Sequence, residues 1–550
     1  MKLTSIPQYK RNAKRFEQIL RILFKYQLGD WLKPSIPEIL KKKLESLGGE
    51  DLTAVSHAEG IRLGLTELGT TFIKMGQMLS TRADLVGVEI AGELTRLQTN
   101  TPPDSSETVR AIIEAELGAD PDEIYARFDD TPIASASIAQ AHLAELKDGT
   151  QVVVKVQHEG IEEKVINDLE ILIALGEFAE KNSEELRLYQ PVATLEEFRR
   201  NLLVELDFQR EEQNLLRFQS NFAGDETVSI PEVYPEFTAK RVLTMEKLDG
   251  VSLAKTDRLR EEGADLKEIA RRGANAYLEM IFRDRVYHAD PHPGNILVLP
   301  GNVIGLLDFG MIGHLDNRTS EVFEELIHAF LLKDSELLTD CCLMLGHAPP
   351  NLDRDKLQSD VEAFMASNLS GSIQDMDASR MFTGITELVR RHRIVQNPGV
   401  SLLVKVLVML EGSSRLVDND FNLSELLEPY YRKMVKRQLE PKNVFRRMQR
   451  TWRDWDRLFQ DLPRDVSDVI QRFRKGTLDV HLEHRRLDTV VNRVAYGVIA
   501  AAVFLGSSTV LSQAIPPTVK GVSILGLAGI GFGLWLIARL LRAIGKSGGL

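Results

Sequence analysis

Cysteine is almost missing from this chain. Its 550 residues hold two, Cys341 and Cys342, side by side. Adjacent cysteines make neither a disulfide framework nor a zinc site, and such sparing use suits a reducing cytosol. A basic excess is missing too: 68 Lys and Arg stand against 80 Asp and Glu, a net charge of −12. That balance excludes the body of the protein as a nucleic-acid binder on charge grounds. No secretory leader is expected, because the apolar run 19–24 is short and sits in a basic amphipathic pattern. No motif repeats with a solenoid or propeller period. The composition is neither that of disorder nor that of collagen. The length suggests roughly three or four domains.

What charge there is lies unevenly. Residues 1–30 carry seven Lys and Arg against two acids, and residues 432–457 carry ten against three. The second patch also contains Phe445, Trp452 and Trp455. Basic residues with interfacial tryptophans fit anionic lipid headgroups. The segment 9–28 sets Phe16, Ile19, Leu20, Leu23 and Phe24 against Lys10, Arg11, Lys14 and Arg15. It fits a membrane interface and a helix packed on a lobe equally well. At the other end, residues 494–513 are 20 positions without a charge, and 522–538 are another 17. As helix the first stretch is about 30 Å long, the thickness of a bilayer core. Pro516, Pro517 and Lys520 lie between them, while Arg485, Arg486, Arg493, Arg539, Arg542 and Lys546 flank them. Positive flanks stay on the cytoplasmic side, so a transmembrane helical hairpin with both ends inside is expected. Gly529 and Gly533, four apart, would let its two helices approach closely.

Strand-like and helix-like segments alternate in the middle of the chain. Residues 136–146 and 150–157 read as a β-hairpin turning at Asp148-Gly149. Residues 192–218 read as one long charged helix, 241–248 as a short strand, and most of the chain after Leu253 as helix, interrupted near 288–309. The first hundred residues read as helices. A small sheet, a long helix and then a helical lobe make a two-lobed arrangement.

The most specific stretch is His288-Ala289-Asp290-Pro291-His292-Pro293-Gly294-Asn295, followed by Asp308-Phe309-Gly310. Phosphoryl transfer with magnesium needs carboxylates and an amide aimed at the ion, and a carboxylate near the nucleophile. The step from Asp290 to Asn295 and the later Asp308 reproduce the spacing of a kinase catalytic loop and metal-binding motif. His292 is expected to be a hydrogen-bonding loop histidine rather than a metal ligand. Upstream, Lys155 follows three valines in a strand, as a phosphate-pairing lysine does. The glycine-rich loop of an ordinary protein kinase is lacking. Ala134, Ser135, Ala136, Ser137, Ile138 and Ala139 stand in its place. Small side chains still admit phosphates, but alanine disfavours the left-handed angles that glycine permits.

In this order, the alanine-rich loop, Lys155, the run from Glu205 through Asp207 to Glu211, the catalytic loop and Asp308-Phe309-Gly310 resemble the UbiB (AarF) family of atypical kinase-like proteins. So does Lys74-Met75-Gly76-Gln77, a K-x-G-Q signature. The resemblance spans about residues 69–420. It implies an α+β, bilobal protein-kinase-like fold with an N-terminal helical extension. The expected divisions are the extension at 1–120, the N-lobe at 121–250, the helical C-lobe at 251–430, a basic juxtamembrane segment at 431–492 and the hairpin at 493–545. It also implies catalytic-loop Asp290, with Asn295 and Asp308 holding Mg2+ and Lys155 paired with Glu211. Helical spacing alone does not choose between Glu211 and Glu212. Lys74 and Gln77 would cross the cleft, Lys74 near Glu205 and Asp207. ATP would meet the alanine-rich loop, Lys155, and Met245 and Glu246. Two departures are mild: Ser135 inside the alanine-rich loop, and Glu159 before Gly160, where family members often carry proline. The implied function is a membrane-anchored, magnesium-dependent ATPase supporting ubiquinone (prenylquinone) biosynthesis on the cytoplasmic face of a bacterial-type inner membrane. A phosphotransferase acting on a small molecule or lipid, or a non-catalytic scaffold, are the alternatives. The partners implied are membrane lipids, prenylquinone precursors, quinone-biosynthetic enzymes and a second copy of the chain, with no nucleic acid.

Overall fold

The structure is a computed structural model that describes residues 13–26, 56–97, 101–182, 187, 190–368, 377–427, 430, 487–513, 516–519 and 522–545. The basic segment 432–457 lies outside the described residues. Two units divide the chain, Met1–Glu440 and Pro441–Leu550.

The first unit begins with helices. Helix α1 (Ala13–Lys25) buries Phe16, Ile19 and Leu20 completely. Of the two readings open for this segment, packing on the lobe is the one observed. Arg15 fixes it by donating Nε and Nη2 to the two Asp168 carboxylate oxygens, at 2.7 and 2.8 Å. Helices α2 (His57–Leu68), α3 (Thr70–Leu79) and α4 (Val88–Leu94) follow. Gly69 separates α2 from α3 at a φ of 94°, a left-handed value that suits glycine. Gly76 lets α3 lie against its neighbours: a Cβ there would meet Leu97 and come within 2.9 Å of the Leu65 side chain. Phe72 and Ile73 join one buried cluster with Phe16, Ile19 and Leu20 of α1 and with Val165 and Leu169 further along the chain.

Helix α5 (Ser106–Leu117) leads into a five-stranded sheet of β1 (Arg127–Phe128), β2 (Ala134–Ser135), β3 (Ala139–Glu145), β4 (Gln151–Gln157) and, later in the chain, β6 (Val242–Glu246). The hairpin expected from the Asp-Gly dipeptide is β3–β4, with Gly149 at φ 93°. Helix α6 (Ile161–Asn182) follows, then α7 (Pro191–Glu205) and α8 (Phe208–Asn221). The single helix expected over 192–218 is therefore two. The chain breaks at Leu206, which is buried, and Asp207, which is extended and caps α8 by accepting from Gln209 N–H at 3.1 Å. A carboxylate at the N-cap satisfies one of the orphan donors of a new helix, so a break there costs little.

The second lobe carries β5 (Val228–Ser229), β7 (Val251–Ser252), β9 (Ile296–Leu299) and β10 (Val303–Leu306) in one sheet, and the pair β8 (Val286–His288) and β11 (Ile312–His314). Its helices are α9 (Leu266–Glu279), α10 (Asn317–Leu332), α11 (Ser335–Met344), α12 (Arg354–Asn368), α13 (Ala378–Arg391) and α14 (Pro398–Val417). Cys341 and Cys342 are buried, free thiols on α11.

The second unit contains α15 (Leu487–Ser512) and α16 (Ile524–Gly545), which pack on each other. A Cβ at Gly529 would strike Ser507, and one at Gly533 would lie 3.3 Å from Phe504 Cβ, so the two glycines mark the close approach. Among the described residues no helix is long and apolar enough to cross a membrane.

Candidate active site

Strand β4 lies between β3 and β6 and alternates in burial from Gln151 to Val156. Val152, Val154 and Val156 are fully buried beneath α5, which turns Lys155 to the opposite face, the cleft. There Lys155 Nζ donates to Glu211 Oε1 at 2.6 Å and to Asp308 Oδ1 at 3.3 Å. The break before α8 sets the phase of that helix, so that Glu211 is buried facing the cleft while Glu212 is not. Glu211 Oε1 also accepts the Phe309 N–H at 3.2 Å, tying the helix to the second lobe. Burial works against the Lys155 charge, but the Asp308 and Glu211 carboxylates overcome it and hold the ammonium above the ordinary lysine range. Lys155 in turn, against burial and with help from Lys74, holds the Asp308 carboxyl well below the usual range.

Asp308 sits at φ 59°, a left-handed angle rare outside glycine and tolerated best by Asp and Asn. Phe309 pins it there: its ring is fully buried, 5.0 Å from Phe218 and 5.2 Å from His288. His288 orders the catalytic loop. Its Nε2 donates to Leu307 O at 2.8 Å and its Nδ1 accepts from Asp290 N–H at 3.2 Å. Asn295 Nδ2 donates to Asp290 Oδ2 at 2.9 Å. His292 Nδ1 accepts from Gly294 N–H, an ordinary turn contact.

The N-terminal extension reaches the same cleft. Lys74 on α3 pairs with Glu205 at the end of α7. Burial opposes the charge, while Glu205, then Asp308 and Asp290, raise Lys74 above its ordinary value. Asp207 is occupied in capping α8, and Gln77 is half-buried one turn beyond Lys74. Thr70 Oγ1 donates to Ser137 O in the alanine-rich loop at 3.2 Å. No residue of that loop takes a left-handed angle; Ala136 N donates to Ala139 O at 2.8 Å and Ala136 O accepts from His158 Nε2 at 3.0 Å. Ser135 Oγ is buried without a hydrogen-bond partner among the described residues. On β6, Met245 is buried opposite Val153, and Glu246 accepts Glu232 N–H at 3.1 Å.

Among the described residues no cluster of three or more His, Cys, Asp or Glu side chains could hold a metal ion. A hard cation held by one carboxylate, an amide oxygen and substrate phosphates needs no such cluster. Asp308, ionised and open to the cleft, and Asn295 supply oxygen donors of that kind.

Sequence reasoning missed several residues. Gln157 Nε2 donates to Leu206 O at 2.7 Å, holding the α7–α8 break against β4. Arg82 and Asp84 form a buried pair, and Asp84 accepts from Gln396 N–H at 3.2 Å and Ser401 Oγ at 3.3 Å on the far lobe. Ser413 Oγ on α14 donates to Pro291 O at 2.8 Å. Apart from the Arg82–Asp84 pair itself, these contacts join segments remote in sequence and leave no local pattern.

Comparison with known proteins agrees with this geometry. Residues 96–341 match the ABC1 atypical kinase-like domain, 361–422 the UbiB helical domain and 480–546 the ABC1/UbiB kinase-like C-terminal domain. A "Probable protein kinase UbiB" of Cellvibrio japonicus is 30% identical over 474 residues, 85% of this chain and 86% of that protein. One of the same name from Shewanella denitrificans is 30% identical over 542 residues, 96% of this chain and 97% of that one. A solved structure, the complex of Rv3197 with erythromycin from Mycobacterium tuberculosis, matches at 23% identity and a TM-score of 0.39, over 60% of this chain and 82% of that chain, a likeness too slight to bear on function. With a kinase-like cleft built from both lobes and relatives matched along most of its length, the chain belongs to the ABC1/UbiB family of atypical kinase-like proteins.

Proposed function

We propose that this protein is a membrane-anchored, ATP-binding, magnesium-dependent ATPase that supports ubiquinone or another prenylquinone pathway at the cytoplasmic face of a bacterial inner membrane. The observation that carries the nucleotide reading is the convergence of Lys155, Glu211 and Asp308 opposite the Asp290–Asn295 pair. Lys155 would position the phosphates, and Asp290 would orient the attacking oxygen. Magnesium, held by Asp308 and Asn295, would neutralise charge on the phosphates.

Hydrolysis is favoured over transfer to a protein because the extension straps the cleft from both sides. Thr70 and Lys74 bind the first lobe and its loop, and Asp84 binds the second. That leaves little room for a polypeptide. The anchor rests on the uncharged stretches 494–513 and 522–538 and on the exposure of Leu505, Leu527, Phe532, Leu534 and Trp535 along the hairpin. Prenylquinone precursors and quinone-biosynthetic enzymes as partners follow from the family resemblance.

The full chain reconstituted in lipid vesicles should release phosphate from ATP in a magnesium-dependent manner, and Asp308→Asn should abolish that dependence. An unchanged magnesium requirement in the variant would overturn the site assignment. Label from γ-phosphate appearing on an extracted lipid or small molecule, instead of as free phosphate, would favour the phosphotransferase reading.

A further inference from the structure

A cavity of about 150 Å³ lies between the extension and the second lobe, bounded by residues of α4 and α14. Its size matches a cavity that holds a single benzene ring. Val88, Ala91, Val404, Val408 and Met409 give it apolar walls, and Lys405 is its one charged lining residue. Five of its six lining hydroxyls are already spent as donors. Ser80 donates to Gln77 O, Thr81 to Met78 O, Thr95 to Gly92 O and Thr386 to Phe382 O, at 2.5 to 2.9 Å. Ser401 donates to Asp84 and Gln396.

Three lysines lie within reach of the cleft carboxylates Asp290 and Asp308, and they differ in one respect. Lys155 is paired with Glu211 and Asp308, and Lys74 with Glu205. Among the described residues Lys405 has no hydrogen-bond or ion-pair partner. Burial pulls it below the ordinary lysine range, and the Asp290 carboxylate is the charge that acts against this. Lys405 is half-buried, and an ammonium partly withdrawn from water with no ion-pair partner gains from a ligand that brings the counter-ion.

We propose that this cavity is a binding site for a small monocarboxylate of about one ring in size, with its carboxylate on Lys405 and its apolar body against the α4 and α14 walls. A monoanion fits better than a phosphate because a single cation faces it and the Asp290 carboxylate is near. None of Lys155, Glu211, Asp290, Asn295 or Asp308 lines this cavity, and the proposal goes beyond the ATPase reading. Occupancy would set a small acid beside the catalytic loop, which α14 already grips through Ser413.

The test uses the full chain in detergent with benzoate as probe, benzamide as its neutral counterpart and inorganic phosphate as the competing anion. Binding is read directly by ligand-observed NMR, with and without a non-hydrolysable ATP analogue. No turnover is measured, so failure of the ATPase reading leaves the result interpretable. Benzoate should bind saturably with the analogue present, and benzamide at least about tenfold more weakly, the weight of one charge-assisted hydrogen bond. Lys405→Met should erase that difference. Gly92→Leu should block benzoate, because a Cβ at Gly92 meets nothing within 4 Å and the longer side chain has the cavity to fill. It carries the test alone should Lys405→Met fail to fold. Equal benzoate binding by parent and either folded variant overturns the proposal. So does competition between benzoate and the ATP analogue, or phosphate binding as tightly as benzoate.

Discussion

Lys74 is the residue whose removal discriminates most sharply between an extension that merely covers the lobes and one that belongs to the cleft. A helix face in water would tolerate Lys74→Ala within about 0.5 kcal/mol. Here the ammonium is 16% exposed and its partner Glu205 is 20% exposed. An exposed pair contributes about 0.2–1 kcal/mol, and breaking a fully buried one costs about 3–5 kcal/mol. This pair lies between, so Lys74→Ala should destabilise the first unit by about 1–3 kcal/mol. The variant also leaves the Glu205 carboxylate facing the phosphates. One unit charge at about 8 Å in an effective dielectric of about 20 is worth about 2 kcal/mol before screening. ATP affinity should therefore fall by about 5- to 30-fold. Glu205→Ala removes the opposite charge and should not weaken ATP, while the double variant should lie between the two. Titration of all four proteins with a fluorescent ATP analogue, alongside thermal melts, completes the cycle. A Lys74→Ala curve that superimposes on the parent, or a coupling below about 0.3 kcal/mol, would refute the reasoning.

Further outcomes are expected from the same geometry. Ala136→Gly should cost about 0.5–1 kcal/mol of stability through added backbone freedom, yet change nucleotide affinity by more than that; identical ATP and ADP affinities in parent and variant would mean the loop does not face phosphate. Burial pushes the Cys341 and Cys342 thiols up to about 12. The reactive thiolate is then scarce in the folded chain near pH 8 and common in the unfolded one. Iodoacetamide labelling should track unfolding, and rapid labelling of native protein would contradict the burial.

Much of the architecture is legible because it is written in short-range patterns. The alternation of valines around Lys155 is a strand period, and it alone turns the lysine away from the core. The Asp148-Gly149 dipeptide specifies its own turn. The step from Asp290 to Asn295 and the tripeptide at Asp308 are local, so the catalytic loop can be placed without knowledge of the fold. The single helix expected over 192–218 fails for the complementary reason. Its charges keep a helical rhythm straight through Leu206-Asp207, and the break there depends on Gln157 and on the burial of Leu206, which no periodicity records.

By itself the sequence determined which groups are present and in what order: the strand lysine, the alanine-rich loop in place of glycines, the catalytic loop, and two uncharged stretches near the C-terminus. Tertiary structure decided who meets whom. It chose Glu211 over Glu212 by phasing α8, and set Lys74 against a glutamate 131 positions away. It joined Asp84 to a backbone amide 312 positions on. It also left Lys405, one lysine among many in the sequence, without a partner beside Asp290 among the described residues. Periodicity reports only whether a side chain faces inward. Charges find partners by closing long loops, and the entropy of that closure is recovered from the packing of whole elements rather than from any neighbouring residue.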